Sequence, residues 1–504
     1  MSHMIIDGRK VEFTDEKNVL SVIRKAGINI PTLCYHSELS TFGACRLCTV
    51  EDDRGKMFAS CSEEPRDGMV IHTNSGRIRK YRKLIVELLL AAHCRDCTTC
   101  VKSGECVLQE LAHRLGVENV RFQNTREQRE LDLSSPSLVR DPNKCILCGN
   151  CVRACEELQS IGALGFAFRG TEAMVMPAFD RKISTTDCVN CGQCRVFCPT
   201  GAISIRTNMD EVWEALADPN VRVVAQVAPA VRVAVGDHYG LTKGRSVMGK
   251  IVNALHLMGF DEVYDTSFSA DLTIMEESAE FLDRIKKGEK LPLLTSCCPA
   301  WSMMAKKLFP DQANCISMAL TPMTLTARLV KHHQPGAKVA FIGPCAAKKL
   351  EAMRSDVRSE VDFVLTFEEM TGIFAARHID VENLKEDPHG INDASTDGRN
   401  FAVSGGVANA VVNVINEKHP DREIKVANAE GLRDCRKLLM AAKAGKYNGY
   451  LLEGMACPGG CVAGAGTMQS IKKSAAVVGM YAKQAEHQTA TGTHHVAELD
   501  KLVD

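Results

Sequence analysis

Residues 145–155 read CILCGNCVRAC, and residues 188–198 read CVNCGQCRVFC. In each run two residues separate the first three cysteines and three residues precede the fourth, so the chain carries an internal repeat. A spacing that recurs in two short segments indicates two similar small modules. This stretch therefore predicts a pair of similar sites, each built around four thiols.

The cysteine content of the whole chain extends this interpretation. There are 23 cysteines among 504 residues, and sixteen of them precede residue 200. No apolar run approaches the ~18 residues that a membrane span needs, and residues 1–24 lack the pattern of a secretory leader. We therefore expect a cytoplasmic protein without a membrane segment, in which stable disulfides are unlikely and thiolates bind metal.

The doubled run resembles the bacterial two-cluster ferredoxins, in which the fourth cysteine of each run ligates the other cluster. By that resemblance two 4Fe-4S clusters are held by Cys145, Cys148, Cys151, Cys155, Cys188, Cys191, Cys194 and Cys198. Pro199 follows the second run as in those ferredoxins, whereas Glu156 follows the first. We expect this difference to change local geometry more than ligation. Disulfides or zinc are the alternative interpretation.

Two further sets of candidate metal ligands precede the repeat. The first is a loop followed by CxxC and is similar to a two-iron, 2Fe-2S ferredoxin site: Cys34, Cys45, Cys48 and Cys61. The second can hold a 4Fe-4S cluster in which one imidazole replaces a thiolate: His93, Cys97, Cys100 and Cys106. Zinc is the alternative for both sets. His36 or His113 could compete with His93, and Cys94 is interpreted as a spare thiol.

Periodicity predicts a coarse secondary structure for both parts of the chain. Residues 18–26 are predicted to form a helix across a small mixed sheet, and residues 84–108 are helical in composition. Beyond about residue 210, strand-like runs, among them 339–342 and 401–403, alternate with amphipathic helices such as 270–287. That alternation is typical of an α/β domain with buried parallel sheets.

Composition and missing motifs exclude several classes of function. The chain has 61 Lys and Arg against 62 Asp and Glu, so no overall basic field indicates nucleic acid or an acidic membrane as a partner. Neither a GxGxxG loop nor a Walker-type phosphate loop accompanies the cysteine motifs. A bound nicotinamide or ATP is therefore not supported.

Three motifs follow strand-like segments in the second half of the chain, where α/β proteins build their sites. Residues 295–301 read TSCCPAW, residues 344–349 read PCAAKK, and residues 453–464 read EGMACPGGCVAG. Together with the cysteine sets upstream, these motifs resemble the iron-only, or FeFe, hydrogenases over essentially the entire chain. The resemblance implies the reversible reaction of two protons and two electrons to dihydrogen.

The resemblance also implies an architecture. It predicts a 2Fe-2S ferredoxin-like domain of the β-grasp type over 1–78, a module with one His and three Cys ligands over 79–125, and a two-cluster ferredoxin-like domain over 136–208. These small α+β domains precede an α/β catalytic domain over 209–504, whose parallel sheets form two lobes. Three accessory 4Fe-4S clusters and one 2Fe-2S cluster would feed an H-cluster.

In that family the H-cluster is a 4Fe-4S unit joined to a two-iron unit with CO, CN and a bridging azadithiolate. By resemblance its ligands here are Cys298, Cys345, Cys457 and Cys461, of which Cys461 also bridges to the two-iron unit. Cys297 matches the proton donor, and a proton pathway is implied through Glu277, Glu280, Arg284 and Ser317. Without the family, the three charged residues on one helix face would be a solvated surface.

Four more residues match positions that contact the two-iron unit in the family. Lys348 resembles the lysine that donates to a cyanide, Pro229 and Ala230 match a loop near the other cyanide, and Met455 matches an apolar neighbour of the bridging carbonyl. The chain departs from common family residues at Ala230, Met323 and Gly343 and across residues 320–322, which read LTP.

The resemblance implies a ferredoxin-like electron carrier as partner and maturation proteins that install the two-iron unit. A complex I subunit shares the pattern of the first 200 residues but would not need the three catalytic motifs. A hydrogenase-like assembly factor lacks the two-iron ferredoxin domain, and a sensor would carry an added signalling domain. These are the rival interpretations.

Overall fold

In the computed structural model of the chain, the described residues are 2–124, 126–231, 235–236, 238–239, 241, 248–289, 292–387, 394–468 and 470–494. Their strands are β1 Ser2–Ile6, β2 Arg9–Phe13, β3 Thr49–Asp52, β4 Met57–Ala59, β5 Val70–His72, β6 Leu138–Arg140, β7 Gly165–Ala167, β8 Met174–Met176, β9 Ile203–Ile205, β10 Val223–Val227, β11 Glu262–Asp265, β12 Leu293–Leu294, β13 Lys338–Ile342, β14 Phe363–Leu365, β15 Val426–Glu430 and β16 Leu451–Met455.

The α-helices of the described residues range in length from four to twenty residues. They are α1 Val19–Lys25, α2 Gly76–Ala91, α3 Val107–Arg114, α4 Asn150–Arg153, α5 Gln193–Val196, α6 Met209–Ala217, α7 Met248–Met258, α8 Ser267–Lys286, α9 Pro299–Leu308, α10 Pro322–His333, α11 Ala347–Ala352, α12 Phe367–Ala376, α13 Thr396–Asn400, α14 Gly406–Lys418, α15 Leu432–Lys443 and α16 Ile471–Ala482.

The N-terminal region is a five-stranded mixed sheet in the order β2-β1-β5-β3-β4. Helix α1 packs its buried apolar residues on this sheet and is capped by Asn18, whose side chain accepts from the Ser21 amide. The repeat region that follows has only two small antiparallel ladders, β6-β9 and β7-β8. Its core combines aliphatic residues with the buried Cys151 and Cys194, and Cys145, Cys188 and Cys198 pack against this core.

The C-terminal region contains two parallel sheets, as the alternating pattern predicts. One has the order β11-β10-β13-β14, and the other has the order β12-β16-β15. Strand β10 is buried at every residue, and β16 is as well, because helices cover both faces of the sheets. The carboxyl ends of β12, β13 and β16 lead directly into the three cysteine motifs.

Two predictions of secondary structure are wrong. Residues 84–108 do not form one helix, because α2 ends at Ala91 and the chain then loops until α3 begins at Val107. The loop carries Arg95 with a left-handed φ of 63° and a 3-10 turn, Cys97–Thr99, so it wraps a site instead of continuing a helix. Residues 401–403 are a turn with an isolated bridge from Val403 to Gly460.

The helices of the described residues do not meet the requirements for a membrane span. Within those residues, none of the helices combines the length and the apolar character needed to cross a bilayer. This agrees with the absence of a long apolar run in the sequence.

Candidate functional site

The centre of the C-terminal region is a small cavity of about 90 Å³ whose walls are almost entirely apolar. It lies at the carboxyl ends of parallel strands, where α/β folds place their sites. The cavity is lined by all the residues predicted to surround the catalytic cofactor: Cys297, Cys298, Cys345, Cys457, Cys461, Lys348, Pro229, Ala230 and Met455. Ala228, Met323 and Phe341 extend the apolar wall.

Local structure explains how the four candidate ligands converge. Cys298 follows β12 and precedes Pro299, which begins α9 at a position where a missing N–H costs nothing. Cys345 follows β13, and Cys457 follows β16. Cys298 and Cys457 thus lie at the carboxyl edge of one parallel sheet and Cys345 at the carboxyl edge of the other, and all three line the cavity. The Ala456 amide donates to the Cys298 sulfur at 3.5 Å.

The chemistry of this donor set fits a metal cluster. Burial raises the pKa of Cys345 to about 11 and that of Cys461 to about 12, with neighbouring thiols adding to the effect. Four thiols in such a dry cavity would stay protonated at neutral pH without a cation. Metal coordination deprotonates such thiols, so a cluster would supply the positive charge that four thiolates need.

Lys348 brings the main charged group to the cavity. Its Nζ donates to Glu351 Oε2 at 2.5 Å and to Thr321 Oγ1 at 3.1 Å. Glu351 is only 1% exposed, so the pair is buried and the carboxylate holds the ammonium charge in place. An ammonium has three N–H donors, so one more donor remains for a group inside the cavity.

The residues of the predicted proton pathway lie in one connected group. The Glu277 carboxylate oxygen Oε1 accepts from the Ser296 amide at 2.8 Å, and the Ser317 hydroxyl donates to Glu280 Oε2 at 2.7 Å. Arg284 donates to Glu280 Oε1 at 2.7 Å. The carboxyl groups and Arg284 share one face of α8, as their spacing predicts.

Glu277 occupies the buried end of this group. Burial raises its pKa to about 8, although bonds from Ser296 and the nearby Ser317 hydroxyl act in the opposite direction. Its second oxygen, Oε2, has no hydrogen-bond partner among the described residues. The Cys297 thiol lies close enough for the Glu277 charge to raise its pKa further, after burial itself. Glu277 can therefore carry a proton between the thiol and Glu280.

The exit of the group reaches solvent beside Met318. This side chain is 78% exposed, and its backbone amide donates to Glu280 Oε2 at 2.9 Å. Neither Ser296 nor Met318 was predicted from the sequence, although both adjoin residues that were. Adjacency to Cys297 and to Ser317 was the available signal.

The repeated cysteine runs exchange their fourth members. Cys145, Cys148 and Cys151 line one small cavity together with Cys198. Cys155 lies in electrostatic contact with Cys188, Cys191 and Cys194. Cys191 also lines the central cavity, so the second set lies next to it.

The two N-terminal sets also converge. His93, Cys97, Cys100 and Cys106 line a small cavity, which Cys94 shares. The buried Nδ1 of His93 has no hydrogen-bond partner among the described residues, as expected for a ring nitrogen kept for a metal. His36 instead packs edge-on against Phe197.

In the first set, the Cys45 amide donates to the Cys34 sulfur at 3.3 Å, and the thiols of Cys48 and Cys61 lie within hydrogen-bonding reach of each other. No group of three or more His, Cys, Asp or Glu side chains in the described ranges could hold a single metal ion.

Comparison with protein families divides the chain in the same order as its sites. Residues 221–465 match the C-terminal domain of the iron only hydrogenase large subunit. Residues 3–76 match a 2Fe-2S iron-sulfur cluster binding domain, 82–121 match the NADH-ubiquinone oxidoreductase-G iron-sulfur binding region, and 138–157 and 181–204 match a 4Fe-4S binding domain.

Two curated relatives align with most of the chain, and a solved structure aligns with part of it. The NADP-reducing hydrogenase subunit HndD of Solidesulfovibrio fructosivorans is 36% identical over 92% of this chain and 88% of its own length. Iron hydrogenase 1 of Clostridium pasteurianum is 29% identical over 100% of this chain and 96% of its own. A solved structure of the FeFe hydrogenase HydA1 from Chlamydomonas reinhardtii has a TM-score of 0.51 at 26% identity and covers 59% of this chain and 94% of that one.

Proposed function

Because the chain belongs to the iron-only hydrogenase family, we propose that it catalyses the reversible conversion of two protons and two electrons to dihydrogen in the dry cavity. The observation that carries the proposal is the convergence there of four candidate ligand thiols with Cys297 and Lys348. A complex I subunit, one of the three rivals from the sequence analysis, would not need a proton donor and a buried ammonium at the same cavity.

The residues present fit an H-cluster, whose ligands would be Cys298, Cys345, Cys457 and Cys461. When bound, the H-cluster supplies the iron site for hydrogen chemistry. Lys348, held by Glu351 and Thr321, would direct its remaining N–H to a cyanide, and charge-assisted donation would hold the two-iron unit without a protein bond.

Pro229, Ala230 and Met455 would surround the two-iron unit. Their contribution is to keep water out, since the cavity wall is apolar at these positions. A dry site strengthens the electrostatic interaction between the ammonium and an anionic ligand. Met323 and Ala230, where the chain departs from common family residues, also keep water out, because both side chains are apolar.

The proton pathway would begin at the Cys297 sulfur, which gives up or takes a proton at the cavity. Glu277 exchanges that proton with the thiol, Ser317 connects to Glu280, and Arg284 fixes the Glu280 carboxylate near solvent. General acid-base groups placed in this way contribute about 10²- to 10⁴-fold to rate.

Electrons would pass through the accessory clusters, which we propose to be three of the 4Fe-4S type and one of the 2Fe-2S type.

We further propose a ferredoxin-like carrier as the external partner, maturation proteins for cofactor assembly and a cytoplasmic location. A pyridine-nucleotide-linked partner subunit is a second candidate, because HndD is named as a subunit of an NADP-reducing hydrogenase. Hydrogen evolution by the isolated chain with reduced ferredoxin would favour the carrier, whereas turnover with an artificial one-electron donor but not with ferredoxin would favour the partner subunit.

The decisive experiment is an infrared spectrum of the anaerobic protein produced with its maturation system. We expect bands of iron-bound carbonyl and cyanide that shift under dihydrogen. Cys298→Ser serves as the matched variant, since it removes one ligand and should lose the bands. Their absence from the parent protein, while its accessory clusters are filled and a known hydrogenase matures in parallel, contradicts the proposal.

A further inference from the structure

Gln193 connects the repeat region to the central cavity by a direct contact with a candidate ligand. Its side-chain Nε2 lies 3.3 Å from the Cys457 sulfur and 3.4 Å from the Ala463 carbonyl oxygen. A primary amide has two N–H donors, so both are used across this contact. Gln193 is 6% exposed and stands between Cys191 and Cys194 at the start of α5.

A glycine explains why this contact is so close. Gly192 has a left-handed φ of 75°, and an added Cβ would lie 2.5 Å from the Ala465 Cβ and 2.9 Å from the Ala346 Cβ. These alanines belong to the loops that carry Cys461 and Cys345. The backbone between two candidate ligands of the neighbouring cluster therefore touches the loops of the central site.

Arg195 adds a second polar contact between α5 and the same loop of the central site. Its guanidinium donates to the Ala465 carbonyl at 3.0 Å and pairs with Glu368. We call this contact the cluster seam, made by Gly192, Gln193 and Arg195 on one side and by Ala346, Cys457, Ala463 and Ala465 on the other. The Gln193 amide is thus held on both sides, and its bond to sulfur is part of a rigid arrangement.

The first cysteine run provides an internal comparison. Gly149 also has a left-handed φ, of 71°, and Asn150 stands where Gln193 stands in the second run. The Asn150 Nδ2 donates to the carbonyl oxygens of Leu33 and Phe197, at 3.0 and 3.2 Å. Both runs use an amide at this position to join a neighbouring loop, and Gln193, one methylene longer, reaches a sulfur.

Hydrogen bonds to cluster sulfurs change reduction potential, because an N–H dipole favours the form with more negative charge. Building on the proposed function, we propose that Gln193 is a positioning residue that raises the reduction potential of the four-iron part of the H-cluster. The electron passes from the cluster of Cys155, Cys188, Cys191 and Cys194 to that part. No covalent bond forms or breaks, and the amide keeps its protons.

The test replaces Gln193 by methionine, which is similar in length and has no donor. In an infrared-monitored redox titration we expect reduction of the four-iron part to become about tenfold less favourable, which is 59 mV for one electron. Asn150→Met is the matched control, since it removes the amide at the equivalent position, and should leave this potential unchanged. If methionine prevents cofactor uptake, Gln193→Asn replaces it, because its amide is one methylene shorter.

Three outcomes separate the possibilities. A lowered potential in the Gln193 variant alone supports the inference. An unchanged potential, or an equal shift in the Asn150 variant, overturns it while the infrared bands still support hydrogenase function. Absence of those bands from the parent protein overturns the proposed function, and with it the inference that rests on it.

Discussion

The central cavity has two proposed functional sides that are built in different ways. On the proposed electron side, Gly192 and Gln193 bring one cysteine loop into van der Waals contact with the loops of the central site. On the proposed proton side, the carboxyl groups of Glu277 and Glu280 are joined by the Ser317 hydroxyl. Electron transfer needs short distances between metal centres, whereas proton transfer needs a proton-carrying group at each step. A bulkier side chain should therefore disturb the electron side, and removal of an exchangeable proton should disturb the proton side.

Cys297→Ala should give the largest effect, because it removes the group at the start of the proton side. We expect hydrogen evolution and uptake to fall about 10²- to 10⁴-fold, as for loss of a general acid-base group. Carbonyl and cyanide bands should persist, since Cys297 is not a proposed ligand. Cys435→Ala, another buried thiol, outside the cavity lining, should retain activity; equal losses in both variants would contradict the assignment.

Glu277→Gln keeps the shape of the proton side and removes its titration. We expect turnover to fall about 10²-fold, at the lower end of that range. A rate close to that of the parent enzyme, with full cofactor loading, would show that protons bypass Glu277. The assay compares initial rates of hydrogen evolution at equal infrared band intensity.

Gly192→Ala tests the electron side. A Cβ there meets Ala465 and Ala346 and also strains the left-handed backbone. We expect overpacking to lower the free energy of unfolding by about 1–3 kcal/mol, in addition to the cost of the strained backbone. Gly162→Ala is the control, since Gly162 has a φ of 66° and no atom within 4 Å of an added Cβ. Thermal unfolding of both variants separates the cost of overpacking from the cost of backbone strain. Equal melting temperatures of the two variants would refute tight packing at the cluster seam.

The raised pKa of Glu277 also predicts a pH dependence of stability. An acid whose pKa rises from about 4.5 to about 8 on folding stabilises the protein while it is protonated, so this stability is lost as pH rises through that window. Glu277→Gln should make the fall in melting temperature of the cofactor-free protein between pH 5 and 9 less steep. Asp283→Asn, exposed on the same helix, should not change the fall.

Glu280→Gln should have the smallest effect. The Glu280 side chain is 20% exposed, so water can replace part of its role at the solvent end. We expect a loss of about tenfold or less in turnover. A loss as large as that of Cys297→Ala would show that the path has no alternative exit and would weaken the distinction between its buried and exposed ends.

The spacing of residues along the sequence predicted the cysteine-bearing loops and the α/β pattern, because both depend on residues that are close in the chain. Cysteines two residues apart indicate a loop around a metal site, and parallel strands place the residues after them at one edge. The set with Cys198 among Cys145, Cys148 and Cys151, and the cavity of Cys298 and its partners, instead follow the grouping that the family resemblance implies.

The sequence could not predict contacts between distant segments. The bond from Gln193 to Cys457 joins residues far apart in the chain, and nothing in either local pattern specifies it. The helical composition of residues 84–108 was misleading for a similar reason, because convergence of His93 with three cysteines requires a loop that composition does not reveal. Ser296, in the turn after β12, adjoins Cys297, but its bond to Glu277 of α8 joins two segments whose contact the local sequence does not specify.

Cys191 lines the central cavity although it lies in the first half of the chain, whereas Cys457 and Cys461 come near the end. During synthesis on the ribosome, the part of the wall that holds Cys191 emerges hundreds of residues before Cys457 and Cys461. The cavity therefore cannot close until most of the polypeptide has been translated. We accordingly expect the proposed catalytic centre to be loaded late, after the repeat region has emerged.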